Sequence, residues 1–479
     1  MPGPGGGPDR SSNALLRRSP ALVALGLMVL GLVVPWPGAL ALGGIAVIAG
    51  RRWPAALWLL VVPLAALLNL GTEIQQRRWV QRYAGRSGAF LYEVQGRGLG
   101  TVRCMVLGDE TLRVSVPVGF LSFGQYTYGE RLWIRGTLEP RDSAAPTLRR
   151  YFRGEGRALV LRPQELLERH PPAGWAAHLR ERWRRHLQKH LHGPAAGLAV
   201  ALVLGDRHSL PREVLQDFRR TGTLHLLALS GLHVGLLLLI LLVFLQTLRV
   251  PFRLSLVLAT ALLWGYLAVV GPRPSLVRGL LFVSAFALAY VVERPRNYLN
   301  FLGVAGVVSL MWAPWWLWSV GFQLSYTATL GILWGMPTLP RIRWAWLQKP
   351  WEALWVSLFA QGALVPFLLF YFHGLSLLAP LLNVPLVFLT WLLMAELFLG
   401  TVAGPWGAPF LAVAQALAQI LLGIVRGAAP WGYVQVPSLS GTGFFLLLAA
   451  VIALFILWRK LTAAPFQGRG TGTPEADSR

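Results

Sequence analysis

Long apolar segments recur along most of this 479-residue chain and limit its possible folds more than any other feature. Of its residues, 55% are hydrophobic and only 13% are charged, whereas soluble domains usually carry roughly 25% charged residues. Segments of about 15–25 apolar residues have the length that a helix needs to cross a bilayer. The sequence therefore predicts a polytopic α-helical membrane protein.

The apolar segments form two groups separated by a more polar stretch. Three lie near 21–34, 38–50 and 53–70. A segment at 195–205 is too short to span, and we interpret it as a half-helix. Candidate spans follow near 224–248, 254–271, 276–292, 298–312, 321–336, 354–371, 375–399, 408–425 and 442–458.

Residues 75–165 have a different pattern, in which apolar and polar residues alternate between glycine turns. The segments FLYEVQGRG, TVRCMVLG, TLRVSVPVG, ERLWIRGTLEP and RALVLRP each have the period of a β-strand. They predict a small β-barrel (OB-like) domain inserted between membrane helices. Its arginines and aromatic residues are typical of single-strand nucleic-acid binding. Alternation alone, however, also places such residues on the solvated face of any barrel.

The formal net charge is +24, and lysine occurs only at 189, 349 and 460, so arginine supplies nearly all of the positive charge. One interpretation is a polyanionic partner, because the guanidinium fork suits phosphate. The other is membrane-orientation signals in a lysine-poor proteome. Residues 174–193 form a basic amphipathic segment. We interpret it as an interfacial helix, with guidance of phosphates at a pore entrance as the alternative.

The charges between predicted spans indicate an orientation. With a cytoplasmic N-terminus, inner loops carry Arg249, Arg253, Arg294, Arg296, Arg341, Arg343, Lys349, Arg459 and Lys460, and outer loops carry Arg273, Arg278 and Arg426. This bias fits the positive-inside rule and predicts an extracytoplasmic barrel and a cytoplasmic C-terminus. The predicted units are a disordered tail (1–20), N-terminal transmembrane helices (21–74), the OB-like domain (75–165), the interfacial helix (174–193), a transmembrane channel domain (194–460) and a disordered tail (461–479).

Familiar catalytic motifs are missing from the sequence. Cys104 is the only cysteine, so no intramolecular disulfide is possible. The segment HLQKHLH lacks the glutamate of a zinc-protease motif, and no lysine stands in a Walker A context. We therefore expect no metal ion, no cofactor and no catalytic residue.

The stretch TGTLHLLALSGLHVGLLLLI (221–240) places His225, Ser230 and His233 among three glycines at the start of an apolar run. Three interpretations are open. Ser230 and His233, three positions apart, could form the dyad of a hydrolase. The polar groups could satisfy one another between helices. Alternatively, the helix breaks here and the polar groups face a hydrated path, since irregular backbone in a membrane is tolerated beside a cavity.

Five ordered motifs resemble the ComEC family of competence proteins, inner-membrane channels for incoming DNA in natural transformation. They are ALVLGDR with LPREVLQDFRRTG (201–222), TGTLHLLALSGLHVG (221–235), PSLVRGLLF (274–282), SVGFQLSYTATLGI (319–332) and LVPFLLFYFHGLSLLAPLLNVP (364–385). The barrel region and LRRYFRGEGRALVL (148–161) resemble the family's extracytoplasmic domain more loosely. Many members continue into a metallo-β-lactamase-like domain, for which this sequence offers no HxHxDH motif.

The resemblance implies passage of single-stranded DNA through the bacterial inner membrane. It also implies a DNA receptor outside, a cytoplasmic ATPase and single-strand-binding proteins inside, and a nuclease supplied by another polypeptide. The predicted lining of the DNA path consists of Thr223, His225, Ser230, His233, Arg278, Gln323, Ser325, Tyr326, Thr327, Gln361, His373 and Asn383. The predicted entrance residues are Arg135, Arg149, Arg150, Arg153, Arg180, Arg184 and a pair formed by Asp206 and Arg207. The alternatives are a secondary transporter of a small anion and the hydrolase.

Overall fold

The computed structural model describes residues 61–98, 101–107, 112–117, 131–140, 159–170, 174–294, 297–339, 342–437 and 439–463. The predicted tail at 1–20 and the predicted spans near 21–34 and 38–50 lie outside the described residues. The tail predicted at 461–479 starts too early, because the last described helix continues to Ala463.

The described chain contains thirteen α-helices and seven strands. The helices are α1 (Val61–Tyr83), α2 (Trp175–His190), α3 (Gly193–Leu204), α4 (Arg212–Arg220), α5 (Gly231–Thr247), α6 (Phe252–Val270), α7 (Pro274–Val291), α8 (Tyr298–Trp312), α9 (Val320–Gly335), α10 (Ala345–Phe372), α11 (Ala379–Val402), α12 (Ala408–Ala428) and α13 (Gly441–Ala463). The strands are β1 (Ser87–Gly98), β2 (Thr101–Leu107), β3 (Leu112–Pro117), β4 (Arg131–Pro140), β5 (Leu159–His170), β6 (Gly374–Ser376) and β7 (Tyr433–Gln435).

The first five strands close into a barrel in the order β1-β2-β3-β5-β4. Neighbouring strands are antiparallel except β3 and β5, which are parallel. The alternation in β4 places Leu132, Ile134 and Leu138 inside, where none of their surface is exposed. They are joined in the interior by Leu159 and Leu161 of β5, which are also buried. The period-2 pattern of the sequence thus sets which side chains fill this barrel.

The structure shifts both ends of the predicted barrel region. Helix α1 runs past residue 75 to Tyr83, because its polar second half is rich in Glu, Gln and Arg, which favour a helix. Strand β1 therefore begins only at Ser87, and β5 extends to His170, beyond the predicted end at 165.

Helix α3 lies at the centre of the helical region. Nine of its twelve residues are buried, from Ala195 to Leu204, and it packs against α2, α11 and α12. A helix of this length spans about 18 Å, less than the hydrocarbon core of a bilayer. It therefore has the length expected of the predicted half-helix.

Helices α5 to α13 lie where the nine candidate spans were predicted. Six of the described helices, α6, α7, α10, α11, α12 and α13, are long and apolar enough to cross a membrane. Helices α5, α8 and α9 are apolar but have only 17, 15 and 16 residues, and a straight span needs about 20. The chain is a multi-pass membrane protein.

Several basic residues that the sequence placed in loops lie inside helices instead. They are Arg253, Arg278, Lys349, Arg426, Arg459 and Lys460. Most stand within a turn or so of a helix end, where lysine and arginine still count as orientation signals. Arg278, the fifth residue of α7, differs because it is half-buried among other helices.

Candidate functional site

The helical chain is interrupted between α4 and α5, over residues 221–230. Gly222 has a φ of 73°, a left-handed conformation that glycine adopts without strain. A short 3-10 turn at Leu224–Leu227 follows, and the backbone is extended at Ala228. The candidate span predicted near 224–248 therefore begins as a helix only at Gly231.

Two threonines fix the start of this break. The Thr221 hydroxyl lies 2.9 Å from the carbonyl oxygen of Asp217 and 2.7 Å from the hydroxyl of Thr223. Both side chains are completely buried. Thr223, one of the predicted lining residues, is thus a partner of Thr221 in this structure.

Ser230 and His233 form a reciprocal cap at the start of α5. The Ser230 hydroxyl accepts a hydrogen bond from the backbone N–H of Leu232 at 3.2 Å. The Nδ1 atom of His233 accepts one from the backbone N–H of Ser230 at 3.4 Å and lies 3.3 Å from the Ser230 hydroxyl. The contact expected from their spacing is therefore present, and it satisfies backbone groups at a helix end. The other ring nitrogen of His233, Nε2, is buried and has no partner among the described residues.

His225 has a different hydrogen-bond partner from the residues of that cap. Its side chain is exposed, and its Nδ1 atom lies 3.2 Å from the carbonyl oxygen of Gly222. Within the described residues, no group of three His, Cys, Asp or Glu side chains could hold a metal ion.

Arg278 of α7 lies beside the first residue of α5. Helices α5 and α7 approach closely here, since a Cβ added to Gly279 would lie 2.9 Å from the Cα of Gly231. A Cβ added to Gly231 would in turn lie 2.7 Å from Nη2 of Arg278. Small residues at both positions thus let the guanidinium reach the break.

The same guanidinium is held by helix α9. Its Nε atom donates to the hydroxyl of Ser325 at 2.8 Å and its Nη1 atom to that of Thr329 at 2.7 Å. It also lies over the ring of Tyr326, 6.0 Å from the ring centre. Within the described part of the chain, no carboxylate forms an ion pair with Arg278. Arg278 is therefore a cation among apolar helices that only neutral groups hold.

Sequence reasoning found Ser325 and Tyr326 but missed Thr329. The spacing could have revealed it, because Ser325 and Thr329 are four residues apart and share a helix face. Thr327, which was predicted, is half-buried and two positions from Ser325. Residues two apart do not face the same way on a helix, so Thr327 is not part of this contact.

The amide of Gln323 and the hydroxyl of Tyr326 form hydrogen bonds with groups other than Arg278. Gln323 donates to the carbonyl oxygen of Leu317 at 2.8 Å and accepts from the hydroxyl of Tyr371 on α10 at 2.7 Å. The Tyr326 hydroxyl lies 3.2 Å from that of Ser309 on α8. These two predicted lining residues thus hold α9 to its neighbours.

The remaining predicted lining residues lie near the junction of α10, β6 and α11. Gln361 donates to the backbone carbonyl of Ser376 at 2.7 Å, and Asn383 donates to the hydroxyl of Ser357 at 2.7 Å. His373 is exposed and ends α10 with a φ of 53°. The sequence did not single out Ser357 or Ser376.

The structure places the predicted entrance residues in different environments. Arg135 pairs with Glu165 on the barrel surface at 2.9 Å, with about half of both side chains exposed. Arg149, Arg150 and Arg153 lie outside the described residues. Asp206 and Arg207 are both half-buried at the end of α3, and their mutual pairing stays a prediction.

Arg180 differs from its prediction as a DNA-binding residue. It is only 8% exposed, and its Nη1 atom donates to the carbonyl oxygens of Val269 and Val270, each at 3.2 Å. These carbonyls belong to the last turn of α6, where they lack partners within the helix. Arg180 therefore caps α6. The apolar face of α2 packs against the membrane helices, and this packing buries the Arg180 side chain beside the end of α6.

Arg184 and Arg185 hold Glu181 on the same helix. The Arg184–Glu181 distance is 2.8 Å and the Arg185–Glu181 distance is 2.7 Å. Partial burial alone would raise the pKa of Glu181, but the hydrogen bonds and charges of the two arginines outweigh it and lower that pKa. Part of the positive charge of α2 is thus neutralised locally.

These features define a multi-pass membrane protein with a break between two helices and an arginine beside it that hydroxyl groups hold. The family model described as Competence protein matches residues 202–461. That match covers more than half of the chain, which belongs to this family of competence proteins.

The sequence is also similar to curated relatives. It is 29% identical over 193 residues to ComE operon protein 3 of Bacillus subtilis, 31% over 205 residues to Recombination protein 2 of Haemophilus influenzae, and 27% over 243 residues to Competence protein ComA of Neisseria gonorrhoeae. These matches cover 40%, 39% and 48% of this chain. They span only 24%, 26% and 34% of the lengths of those relatives. No solved structure matches the chain.

Proposed function

We propose that this protein passes single-stranded DNA across the inner membrane into the cytoplasm during natural transformation. The observation that carries the proposal is Arg278, a cation among membrane helices. Neutral hydroxyls hold it, and it lies against Gly231, where α5 begins after the helix break. A charged group in such a place is costly and marks a substrate or ion pathway. Membership of the competence family supports DNA as that substrate.

A strand with one phosphate charge per nucleotide needs a hydrated, protein-lined path through hydrocarbon. That path has to attract phosphates without trapping them, so one cation surrounded by hydroxyl and amide dipoles suits it better than a dense cluster of arginines. Ser325 and Thr329 supply such dipoles at Arg278, and Ser230 and His233 supply further ones at the start of α5.

We further propose that the barrel is an OB-like domain outside the membrane that receives the strand. Its strand order and its single parallel pair agree with a five-stranded Greek-key barrel of that type. Exposed arginines such as Arg135 would contact phosphates there after releasing their carboxylate partners. The C-terminus would then lie in the cytoplasm.

In this proposal the chain is a channel and not an enzyme, and it requires no cofactor. A DNA receptor would deliver the strand from outside. A cytoplasmic ATPase and single-strand-binding proteins would draw it inward. The second candidate is a small-anion transporter, in which Arg278 would bind one anion between helices.

The test is uptake of labelled DNA by the host. Wild type would be compared with a deletion, Arg278→Gln, the double variant His225→Ala with His233→Ala, and the control Arg253→Gln, whose side chain pairs with Glu293 at the surface. We expect the deletion to leave DNA bound outside and never protected from nuclease. Arg278→Gln should reduce internalisation at least tenfold, the histidine variant should weaken it, and Arg253→Gln should leave it unchanged.

Normal internalisation in the deletion strain would overturn the DNA proposal. Uptake of labelled phosphate and sulfate would then be measured in the same strains, since a small-anion transporter would lose that uptake in Arg278→Gln.

A further inference from the structure

Three buried oxygen atoms between α10, β6 and α11 have no hydrogen-bond partner among the described residues. They are Oε1 of Gln361, Oγ of Ser376 and Oδ1 of Asn383. Ser376 is only 3% exposed. An unpartnered oxygen away from water costs free energy comparable to a lost hydrogen bond, so these three oxygens require an explanation.

Short contacts bring these three side chains into one cluster. The Gln361 amide donates to the backbone carbonyl of Ser376, which fixes its orientation because a carbonyl can only accept; Oε1 therefore faces away from that bond. Asn383 donates to Ser357. Ser357 and Gln361 are four residues apart on α10, which places their Cβ atoms roughly 5–6 Å from each other.

One side of this cluster packs against the helix break. A Cβ added to Gly222 would lie 3.0 Å from the Cβ of Ser376 and 2.7 Å from that of Ala379. The turn at Gly222 therefore packs directly on β6. Pairing of β6 with β7 fixes the position of Ser376 from the other side.

The chemistry of these oxygens favours one class of ligand. All are neutral, hard oxygen donors, and two are amide carbonyls; carbonyl oxygens coordinate K⁺ in channel filters and Na⁺ in transporters. Divalent ions rely on carboxylates to offset their second charge, and the four described side chains of the cluster include none. Arg219 binds the carbonyl of Phe372 at the same end of α10, but its side chain is exposed and water screens its charge.

We propose that this cluster binds a monovalent alkali cation, with Gln361, Ser376, Asn383 and Ser357 as side-chain ligands. The bound ion holds α10, α11 and the turn at Gly222 in one arrangement. This role differs from the DNA contact predicted for Gln361 and Asn383. It goes beyond the proposed function and does not depend on it, because the ion binds in the absence of DNA.

The test is thermal unfolding of the purified full chain in detergent. Sodium chloride, potassium chloride and choline chloride would be titrated at constant ionic strength. A ligand that binds only the folded state raises Tm in a saturable way. We expect Na⁺ or K⁺ to raise Tm by about 2–4 °C relative to choline, and the more effective ion identifies the one bound.

Substitution would locate the effect. The double variant Ser376→Ala with Asn383→Leu should lose the cation-dependent rise. Thr390→Val serves as the matched control, because Thr390 is a buried residue of α11 whose hydroxyl donates to its own helix at Leu386; it should keep the rise. Identical Tm values for the wild type in Na⁺, K⁺ and choline would overturn the proposal, even if the double variant fails to fold. Because no DNA is present, that outcome would leave the DNA-uptake test unaffected.

Discussion

The Nε atom of Arg278 lies 2.8 Å from the hydroxyl oxygen of Ser325, and this contact joins α7 to α9 across otherwise apolar surfaces. With Thr329 as a second acceptor, the guanidinium has two fixed partners and leaves its Nη2 edge toward Gly231. A hydrogen bond to a charged group contributes about 1.5–3 kcal/mol. Arg278 is therefore both a packing residue and a positive group directly beside Gly231, where α5 begins.

Removing both acceptors of Arg278 should destabilise the protein. We expect Ser325→Ala with Thr329→Val to lower the free energy of unfolding by about 2–4 kcal/mol, because a half-buried guanidinium loses two partners. Denaturation in detergent measures the change. Adding Arg278→Met should recover part of the loss, since the unpaired charge is then gone. If the triple variant is less stable than the double variant, the charge is satisfied by other groups.

Ser230 variants distinguish a helix cap from a nucleophile. Ser230→Ala removes the cap of α5 and should cost about 0.5–2 kcal/mol of stability, whereas Ser230→Asn retains a capping oxygen. We expect DNA internalisation to survive in Ser230→Asn at close to the wild-type level. A complete loss in a folded Ser230→Asn protein would favour the hydrolase.

Arg180→Met should destabilise the contact between α2 and α6. The carbonyls of Val269 and Val270 would lose their donor. The favourable positive charge of Arg180 near the C-terminal end of α6 would be lost as well. We expect a decrease of about 1–3 kcal/mol in the free energy of unfolding. Arg182→Met on the exposed face of the same helix is the control and should change stability little. Equal effects of the two substitutions would contradict the capping role.

Gly136→Ala should disturb the barrel. A Cβ at this position would lie 2.6 Å from the backbone oxygen of Arg162 on β5, where the strand register shifts. Overpacking of this kind costs about 1–3 kcal/mol. Gly88→Ala on β1 is a matched control, because its nearest neighbour would be a ring atom of Phe90 at 3.8 Å. Limited proteolysis should cleave the barrel faster in Gly136→Ala than in Gly88→Ala.

The stability of the contact between α2 and α11 should depend on pH. Burial lowers the pKa of His186 from its usual 6.5; the hydrogen bond to the carbonyl of Gly400 opposes this shift, and the charges of His190 and Lys189 add to it. The folded state thus releases this proton at a pH where the unfolded chain still binds it. The contribution of His186 is therefore complete above about pH 6.5 and declines as the pH falls below that value.

We expect Tm of the wild type to fall between pH 7 and pH 5 more steeply than Tm of His186→Gln. His178→Gln, on the exposed face of α2, should follow the wild type. Parallel curves for His186→Gln and the wild type would show that His186 does not contribute to this pH dependence.

The sequence by itself determined the class of the fold and the position of its interruption. Apolar runs of near-bilayer length require helices, because only a helix satisfies all of its own backbone groups in hydrocarbon. Alternation of apolar and polar residues required strands at β1 to β5, and glycine and serine at Gly222 and Ser230 marked where the helix stops and restarts. These are local effects, which depend on residues close together in the chain.

Only the tertiary structure decided which polar groups meet. Arg180 and Arg184 look alike in the sequence, yet the first caps α6 and the second pairs with Glu181, because the packing of α2 buries one side of the helix. Thr329 became a partner of Arg278, and Ser376 a buried oxygen beside Gln361, through contacts 51 and 15 residues apart. Such contacts depend on how helices approach each other, which local periodicity does not specify.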